Sequence, residues 1–443
     1  MSSKWIALGL AAGLSAAAAL PARAILPLQH WQTPNGARVY FVENHDLPML
    51  DVSVEFPAGA GFDSPEKAGV ASMTDGLLNT GADGMDENDI ARRLADVGAQ
   101  LGERFDTDRA GLALRTLSSA KERRQALDTL ARVLRQPDFP QAVLEREKVR
   151  LIGALKESDT RPDTIASRNF YRLAYREHPY ALRSAGEVET VEKITREDLI
   201  GFYRRHYTAQ YAVVALIGDV TRAEAEAIAV ELTRGLPEAA GAEPLLPAVG
   251  ELPAGATRMI GHQASQAHIL IGAPGISRGD PDYFPLYVGN HILGGGGFVS
   301  RITEEVRQKR GLAYSAYSYF SPLSREGPFV IGMQTRRDQA GQALEVARST
   351  LADFVRDGPT AQELTAARQN IIGGFPLRID SNRKIHEYLA LIGFYRLPLT
   401  YLEDFVKNVE RVTVADIRDA FKRRVNPERM VTVVVGGEEE AKP

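Results

Sequence analysis

VEKITREDLIGFYRR, residues 191 to 205, returns as VERVTVADIRDAFKR, residues 409 to 423, and that return decides the fold. Val191-Glu192-Lys193-Ile194-Thr195 aligns with Val409-Glu410-Arg411-Val412-Thr413, and Asp198-Leu199 with Asp416-Ile417. Tyr203-Arg204-Arg205 aligns with Phe421-Lys422-Arg423, and the apolar run Val213 to Gly218 with Val431 to Gly436. Every pair is 218 residues apart (409 against 191). Near the start of each half, Val54, Pro57 and Asp63 match Ile271, Pro274 and Asp280 at an offset of 217 (271 against 54). Two distant regions with nearly one offset imply a duplication. The period is far too long for a solenoid, so the chain holds two homologous domains.

Local patterns fill in each half. Thr195 is the expected N-cap of a helix ending near Arg205, because a threonine hydroxyl can accept an orphan backbone N–H there. A strand over 212–217 follows. Val52, Val54 and Phe56 alternate with Asp51, Ser53 and Glu55, which predicts a half-buried strand. Ile90, Leu94 and Val97 keep helical spacing, as do Leu127, Leu130 and Leu134. Each half is expected to be α+β, a mixed β-sheet packed with helices, the two facing each other as a clamshell. Their interface should be modest enough to open, as contacts between domains usually are. Leu236 to Pro247 is rich in Pro, Ala and Gly and lacks periodicity, so it predicts a linker. The expected division is 25–235 for the first domain, 236–250 for the linker, 251–438 for the second domain and 439–443 for a tail.

The first 24 residues stand apart. Lys4 precedes an apolar run from Trp5 to Leu20, and Ala22-Arg23-Ala24 has the small-x-small form of a cleavage site. A secretory signal peptide removed after Ala24 is expected, with the periplasm as the compartment; the alternative is an uncleaved anchor. No later stretch is long and apolar enough to span a bilayer. Among 443 residues there is no cysteine, which excludes disulfides, thiolate metal sites and thiol nucleophiles and fits an oxidising compartment. The net charge of −4 offers no basic field for nucleic acid.

The chemistry is sparse. In AGVASMTDGLLNTGA, 68 to 82, Ser72, Asp75 and Gly76 sit at i, i+3 and i+4 and are expected to share one helix face. That face would carry a hydroxyl, a carboxylate and no side chain. The histidines, at 30, 45, 178, 206, 262, 268, 291 and 386, include no pair three or four apart, so no helix offers a histidine pair to zinc. Gly275-Ile276-Ser277-Arg278-Gly279 fits G-x-S-x-G, but Asp280 and Pro281 read as the N-cap and first position of the next helix. Ser277 then falls in a loop, not on a nucleophile elbow. Gly294 to Gly297 lacks the ending of a phosphate loop and reads as a loop before a helix from about Ser300 to Lys309. Gly311 should follow that helix as its C′ residue, and Leu312 to Tyr319 alternates like a strand.

GGGGFVSRITEEVRQKRGLAYS, 294 to 315, closely resembles the second-half signature of the pitrilysin/insulinase family of zinc peptidases, the inverzincins. With the duplicated halves and the 68–82 lead-in, the resemblance covers nearly the whole chain after the signal segment. Members that cut peptides carry H-x-x-E-H in the first half, two zinc ligands and a base. Laid on this chain the motif falls on Ser72-Met73-Thr74-Asp75-Gly76. Both histidines are replaced and the base is shortened to aspartate. The third ligand, a glutamate, should fall near Ile152-Gly153-Ala154, with Glu147 and Glu157 a turn or more away. The resemblance therefore implies neither a catalytic residue nor a metal in this chain. The family's second-half arginine and tyrosine match Arg307 and Tyr314. An arginine fork can hold a peptide carbonyl or carboxylate, and a phenol can donate to a developing oxyanion. The implied role is the non-catalytic subunit of a secreted heterodimeric peptidase, with zinc in a homologous partner. The substrate would be an extended peptide added to an edge strand. Val97 to Phe105 resembles the lead-in to the family's edge strand. Two other roles stay open: a structural or binding protein of the same fold, like the family's respiratory-complex core subunits, and an independent peptidase with other ligands.

Overall fold

The computed structural model describes residues 27–436. The signal segment and the 439–443 tail lie outside the described residues. The first half runs β1 (Gln29–Gln32), β2 (Arg38–Glu43), β3 (Met49–Phe56), α1 (Val70–Gly76), β4 (Gly81–Ala82), β5 (Met85–Asp86), α2 (Glu87–Ala95), β6 (Gln100–Phe105) and β7 (Ala110–Leu117). It continues through α3 (Ala120–Arg135), α4 (Gln141–Ser158), α5 (Pro162–Tyr175), α6 (Val188–Val191), α7 (Arg196–His206), β8 (Val213–Gly218) and α8 (Arg222–Thr233). The second half runs β9 (Ala256–Ile260), β10 (Gln266–Ile276), α9 (Tyr283–Asn290), β11 (Ala313–Phe320) and β12 (Gly327–Arg336). Then come α10 (Ala340–Asp357), α11 (Ala361–Gly374), α12 (Asn382–Phe394), α13 (Tyr401–Arg411), α14 (Val414–Arg424) and β13 (Val431–Val435).

The duplication extends to topology. The first sheet has the order β1-β2-β8-β3-β7-β6; the second, read in the same direction, has β9-β13-β10-β12-β11. The parallel pair recurs, β2 with β8 and β9 with β13, and the remaining neighbours in both sheets are antiparallel. Among the described residues, β1 has no counterpart in the second sheet. The repeated sequence signal sits at equivalent helix starts. The Asp198 N–H donates to Thr195 Oγ1 (3.2 Å) and the Thr195 N–H to Asp198 Oδ2 (2.8 Å); Asp416 and Thr413 make the same pair at 3.1 and 2.8 Å. These reciprocal caps satisfy orphan N–H groups and fix where α7 and α14 begin.

The expected half-buried β3 is buried on both faces: Asp51, Ser53 and Glu55 are 5%, 0% and 2% exposed. The covering element is α12, which crosses from the second half onto β8, β3 and β2. The buried acids are paired for that reason, Asp51 with Arg115 (2.7 and 3.0 Å) and Glu55 with Arg109 (2.8 Å). The exchange is mutual, because α5 of the first half lies on β10 and β13 of the second. Val431, Val433 and Val435 share a core with Ala166, Phe170 and Ala174, while Tyr40, Val213 and Ala215 join the second-half core. The expectation of a modest, openable interface is therefore corrected. The halves face each other across two exchanged helices.

The 236–250 stretch lacks regular secondary structure but is strapped down. Leu236 and Leu246 are buried, the Tyr211 hydroxyl donates to the Gly241 carbonyl, and His178 Nε2 lies 3.1 Å from the Pro247 carbonyl. No helix among the described residues is long and apolar enough to cross a membrane.

Candidate functional site

The first-half face does not assemble as the spacing suggested. Asp63 accepts the Gly69 and Ala71 N–H groups (2.7 and 2.9 Å) and so caps α1 from outside the helix; burial pushes its carboxyl up to about 7. Asp75 points inward and is 1% exposed. Its Oδ1 accepts the Gly111 N–H (2.9 Å) and the Tyr207 hydroxyl (3.2 Å), while Oδ2 has no hydrogen-bond partner among the described residues. Burial, reinforced by the negative charge of Glu103, holds this carboxyl well above the usual carboxylate range. Turned inward, with Oδ1 already accepting from Gly111 and Tyr207, this carboxyl is not presented to the open face as a general base or metal ligand. Ser72 is half-buried, and its hydroxyl donates to the Gly69 carbonyl at 3.3 Å. A Cβ added at Gly76 would meet nothing within 4 Å, so the space beside α1 is open. All three residues lie on one helix as expected, but Asp75 is buried and bonds β7, Ser72 is half-buried against its own helix, and open space lies beside Gly76.

On α4, Ile152 is half-buried against the first-half core, and Gly153 and Ala154 are exposed. Glu147 is engaged by Arg146 and Arg150. Among the described residues no group of three His, Asp or Glu side chains could hold a metal ion. A hydroxyl tied to its own helix, a carboxyl turned inward onto β7 and a glycine do not fit zinc, which needs several N, S or O donors converging on one point.

The second-half pair does come together. The Arg307 guanidinium carbon lies 4.9 Å from the Tyr314 ring centre and 4.8 Å from that of Phe298. The rings are exposed (79% and 65%), so a half-buried cation is held between two accessible aromatic faces. Two backbone features aim the pair. Arg307 sits in a π-helical segment, Thr303–Gln308, that ends before Gly311 at φ +62°. Tyr314 falls at a register break between Ala313 and Ser315 in the β11–β12 pairing. Both π-turns and bulges re-aim side chains and are frequent at sites of function.

These residues border a groove of about 710 Å³ whose other walls include Tyr287, Asn290, Tyr317 and Tyr319. The glycine run is not the expected loop before a helix. His291–Gly295 continues α9 as a π-turn, and a Cβ at Gly294 would lie 2.4 Å from the Ser318 nitrogen. Glycine is required there for close packing on β11, which the mutual Asn290–Ser318 hydrogen bonds (3.0 and 2.7 Å) hold in place. Ser277 lies in the turn beyond β10. The N-cap of α9 is Asp282, two residues later than expected, because Asp280 accepts the Asp282 N–H (2.8 Å) in a turn of its own. As expected, β6 is the outer strand of the first sheet; β11 is its counterpart in the second.

The sequence reading missed the junction between the halves. Asp108 is fully buried and accepts from the Tyr180 hydroxyl (2.6 Å), the Tyr395 hydroxyl (2.8 Å) and the Ser324 N–H (2.7 Å). It sits in the β6–β7 turn, facing the β11–β12 turn, its repeat equivalent. Nothing in local spacing marks an aspartate whose partners lie 72 to 287 residues away.

Comparison with known proteins agrees with this architecture. Residues 38–187 match the family model described as Insulinase (Peptidase family M16), and residues 193–371 the one described as Peptidase M16 inactive domain. The second match begins before α7 and β8, which belong to the first structural half. A solved structure titled peptidase M16 inactive domain, from Pseudomonas fluorescens, is 37% identical, with a TM-score of 0.90 over 94% of this chain and 100% of that one. A protease from Helicobacter pylori shares the fold at a TM-score of 0.86 and 18% identity, over 93% of this chain and 100% of that one. The Helicobacter pylori protein named non-peptidase homolog YmxG is 25% identical over 91% of this chain and 93% of its own length. The duplicated sheets, the Arg307–Tyr314 signature and these matches make the chain a member of the insulinase (M16) peptidase family, with the zinc-motif positions occupied by residues that do not fit the metal.

Proposed function

We propose that this chain is the non-catalytic subunit of an exported heterodimeric zinc peptidase and lends Arg307 and Tyr314 to a partner bearing H-x-x-E-H. The observation that carries this reading is an imbalance. A half-buried arginine and an exposed phenol stand on the wall of a groove, while the first-half positions offer neither ligand nor base. Groups suited to holding a peptide carbonyl have a use only if the reaction centre comes from elsewhere. Zinc, in the partner, would supply the Lewis acid and the activated water. In this chain, Arg307 would clamp a substrate carbonyl or carboxylate, and the Tyr314 hydroxyl would donate to the carbonyl oxygen as it gains charge. Edge strands β6 and β11 offer free backbone groups to an extended peptide. The signal-like residues 1–24 and the lack of cysteine support export to the periplasm.

The test is co-purification with a homologue carrying H-x-x-E-H, encoded beside this gene, followed by peptide hydrolysis assays. The chain alone should hold no stoichiometric zinc and cleave nothing. In the pair, Tyr314→Phe should lower kcat about 10²–10³-fold, and Arg307→Ala should raise KM as well. Full activity with both residues replaced would end the proposal.

A further inference from the structure

We propose that Arg278 is a second anion-holding point in the groove along β11, and that the groove takes an extended peptide bearing a carboxylate about six residues from the residue held at Arg307. The inference rests on the peptide-binding half of the reading above and is measured without a partner, so either can fail while the other stands. The groove follows β11, the outer strand of its sheet, whose free edge offers backbone groups to an extended chain. Arg307 stands at one end, against the Tyr314 ring. Arg278 stands at the other: Ser277 pairs with Leu323 beyond the end of β11, and the Arg278 N–H donates to the Leu323 carbonyl (2.7 Å). At about 3.3 Å per residue, the strand from Tyr314 to Phe320 covers about 20 Å. Side chains an even number of residues apart share a face of a strand, so an added peptide can present one group to each arginine.

Charge names the occupant. Among the described residues, Arg278 and Arg307 line the groove and no aspartate, glutamate or lysine does. The acids nearest in sequence are engaged elsewhere: Asp280 and Asp282 pair with Arg423 and Arg424, and Glu304 and Glu305 with Lys309 and Arg310. The Arg278 guanidinium has no carboxylate partner among the described residues, and its buried Nε has no acceptor there. Its carbon lies 5.5 Å from the Tyr395 ring centre, a contact that steadies the fork without neutralising it. The chain carries 57 acidic residues against 53 Lys and Arg, so two arginines facing one acid-free groove are a local excess of positive charge. A buried donor without an acceptor is destabilising, and a carboxylate would accept from the fork through two oxygens. Tyr317 and Tyr319, stacked with ring centres 6.0 Å apart on the same wall, narrow the access of water and so strengthen the pair. Either an Asp or Glu side chain or the peptide's own C-terminus supplies that chemistry.

Calorimetric titration of the purified chain alone supplies the test, with three N-acetylated, proline-free decapeptides of one sequence. The first carries one internal Glu and a C-terminal amide, the second replaces that Glu by Gln, and the third is the Gln peptide with a free C-terminal carboxylate. The Glu peptide or the free acid should bind about tenfold or more tighter than the neutral peptide, and whichever does so identifies the source of the carboxylate. Arg278→Gln should abolish that preference, whereas Arg307→Ala should weaken all three peptides alike. Arg310→Gln, which removes a partner of Glu305 outside the groove, should change nothing. The comparison of peptides on the wild-type chain needs no variant, so it decides the matter even where Arg278→Gln misfolds. Equal binding of the three peptides, binding of none, or a preference that survives Arg278→Gln would overturn the proposal.

Discussion

Asp75 shows how a position that serves as base in peptidase relatives becomes structural when its side chain turns inward. Its carboxyl ties α1 to the Gly111 N–H of β7 and to the Tyr207 hydroxyl of the segment after α7. Asp75→Ala would leave both donors buried and unpaired, at about 1–3 kcal/mol each. Urea unfolding should show a loss of about 2–4 kcal/mol, whereas Ser72→Ala should stay within about 0.5 kcal/mol. Equal, small effects would show that Asp75 carries no structural role. The sequence made the replacement of the zinc motif legible, because it lists residue types in order. It did not show which way Asp75 points, which depends on β7 lying across the helix. A second residue-scale effect concerns His386, buried on α12 with its Nε2–H donating to the Ala215 carbonyl (3.2 Å). Desolvation lowers its imidazole to about 4, against opposing attraction from Asp51. An unfolded histidine titrates near 6.5, so between about pH 4 and 6.5 the unfolded chain binds the extra proton. Stability from this group is present above pH 6.5 and is lost as pH falls, by about 1.4 kcal/mol per unit. Asp63, raised to about 7, has the opposite sign: its contribution is full below about pH 4 and lost as pH rises through 7. The measurement is therefore a difference. Wild type relative to His386→Gln should lose stability steadily between pH 6.5 and 4.5, and a flat difference would refute the assignment.

At the scale of elements, the exchanged helices carry the argument. α12 approaches the first sheet so closely that a Cβ at Gly393 would stand 2.6 Å from Val213 Cγ1 and 2.7 Å from the Tyr40 ring. On the other side, a Cβ at Gly272 of β10 would meet the Phe170 ring of α5 at 3.0 Å. Glycine interrupts a helix at a cost of about 1 kcal/mol relative to alanine, so its place in α12 reflects packing. Gly393→Leu should destabilise by about 1–3 kcal/mol through overpacking. Gly373→Leu, on exposed space at the end of α11, should not. Matching effects on thermal unfolding at the two sites would remove the packing account. The caps of α7 and α14 were legible in advance because Thr195 and Thr413 act on residues three positions away. The exchange was not. The alternation in β3 shows correctly that two faces differ in polarity, but ion pairs let the polar face be buried too, and a helix about 330 residues later covers it.

For the whole molecule, reciprocal coverage means that neither half owns a complete core. Without the second half, Tyr40, Val213 and Ala215 would lose α12; without the first, Val431, Val433 and Val435 would lose α5. Asp108 adds a polar lock, receiving Tyr180 from its own half and Ser324 and Tyr395 from the other. Structural units that share a core unfold together, since opening one exposes the apolar surface of both. The chain should therefore melt in one transition despite its duplicated sequence and its length. Tyr395→Phe removes one of the three donors to Asp108 and should cost about 1–2 kcal/mol without splitting that transition. Expressed separately, residues 25–246 and 247–443 should each fail to melt cooperatively, and mixing them should restore a single transition. Calorimetry on the intact chain and on both fragments decides the matter. Two separate transitions in the intact chain, or a fragment that folds alone, would show that the halves behave as an openable pair after all.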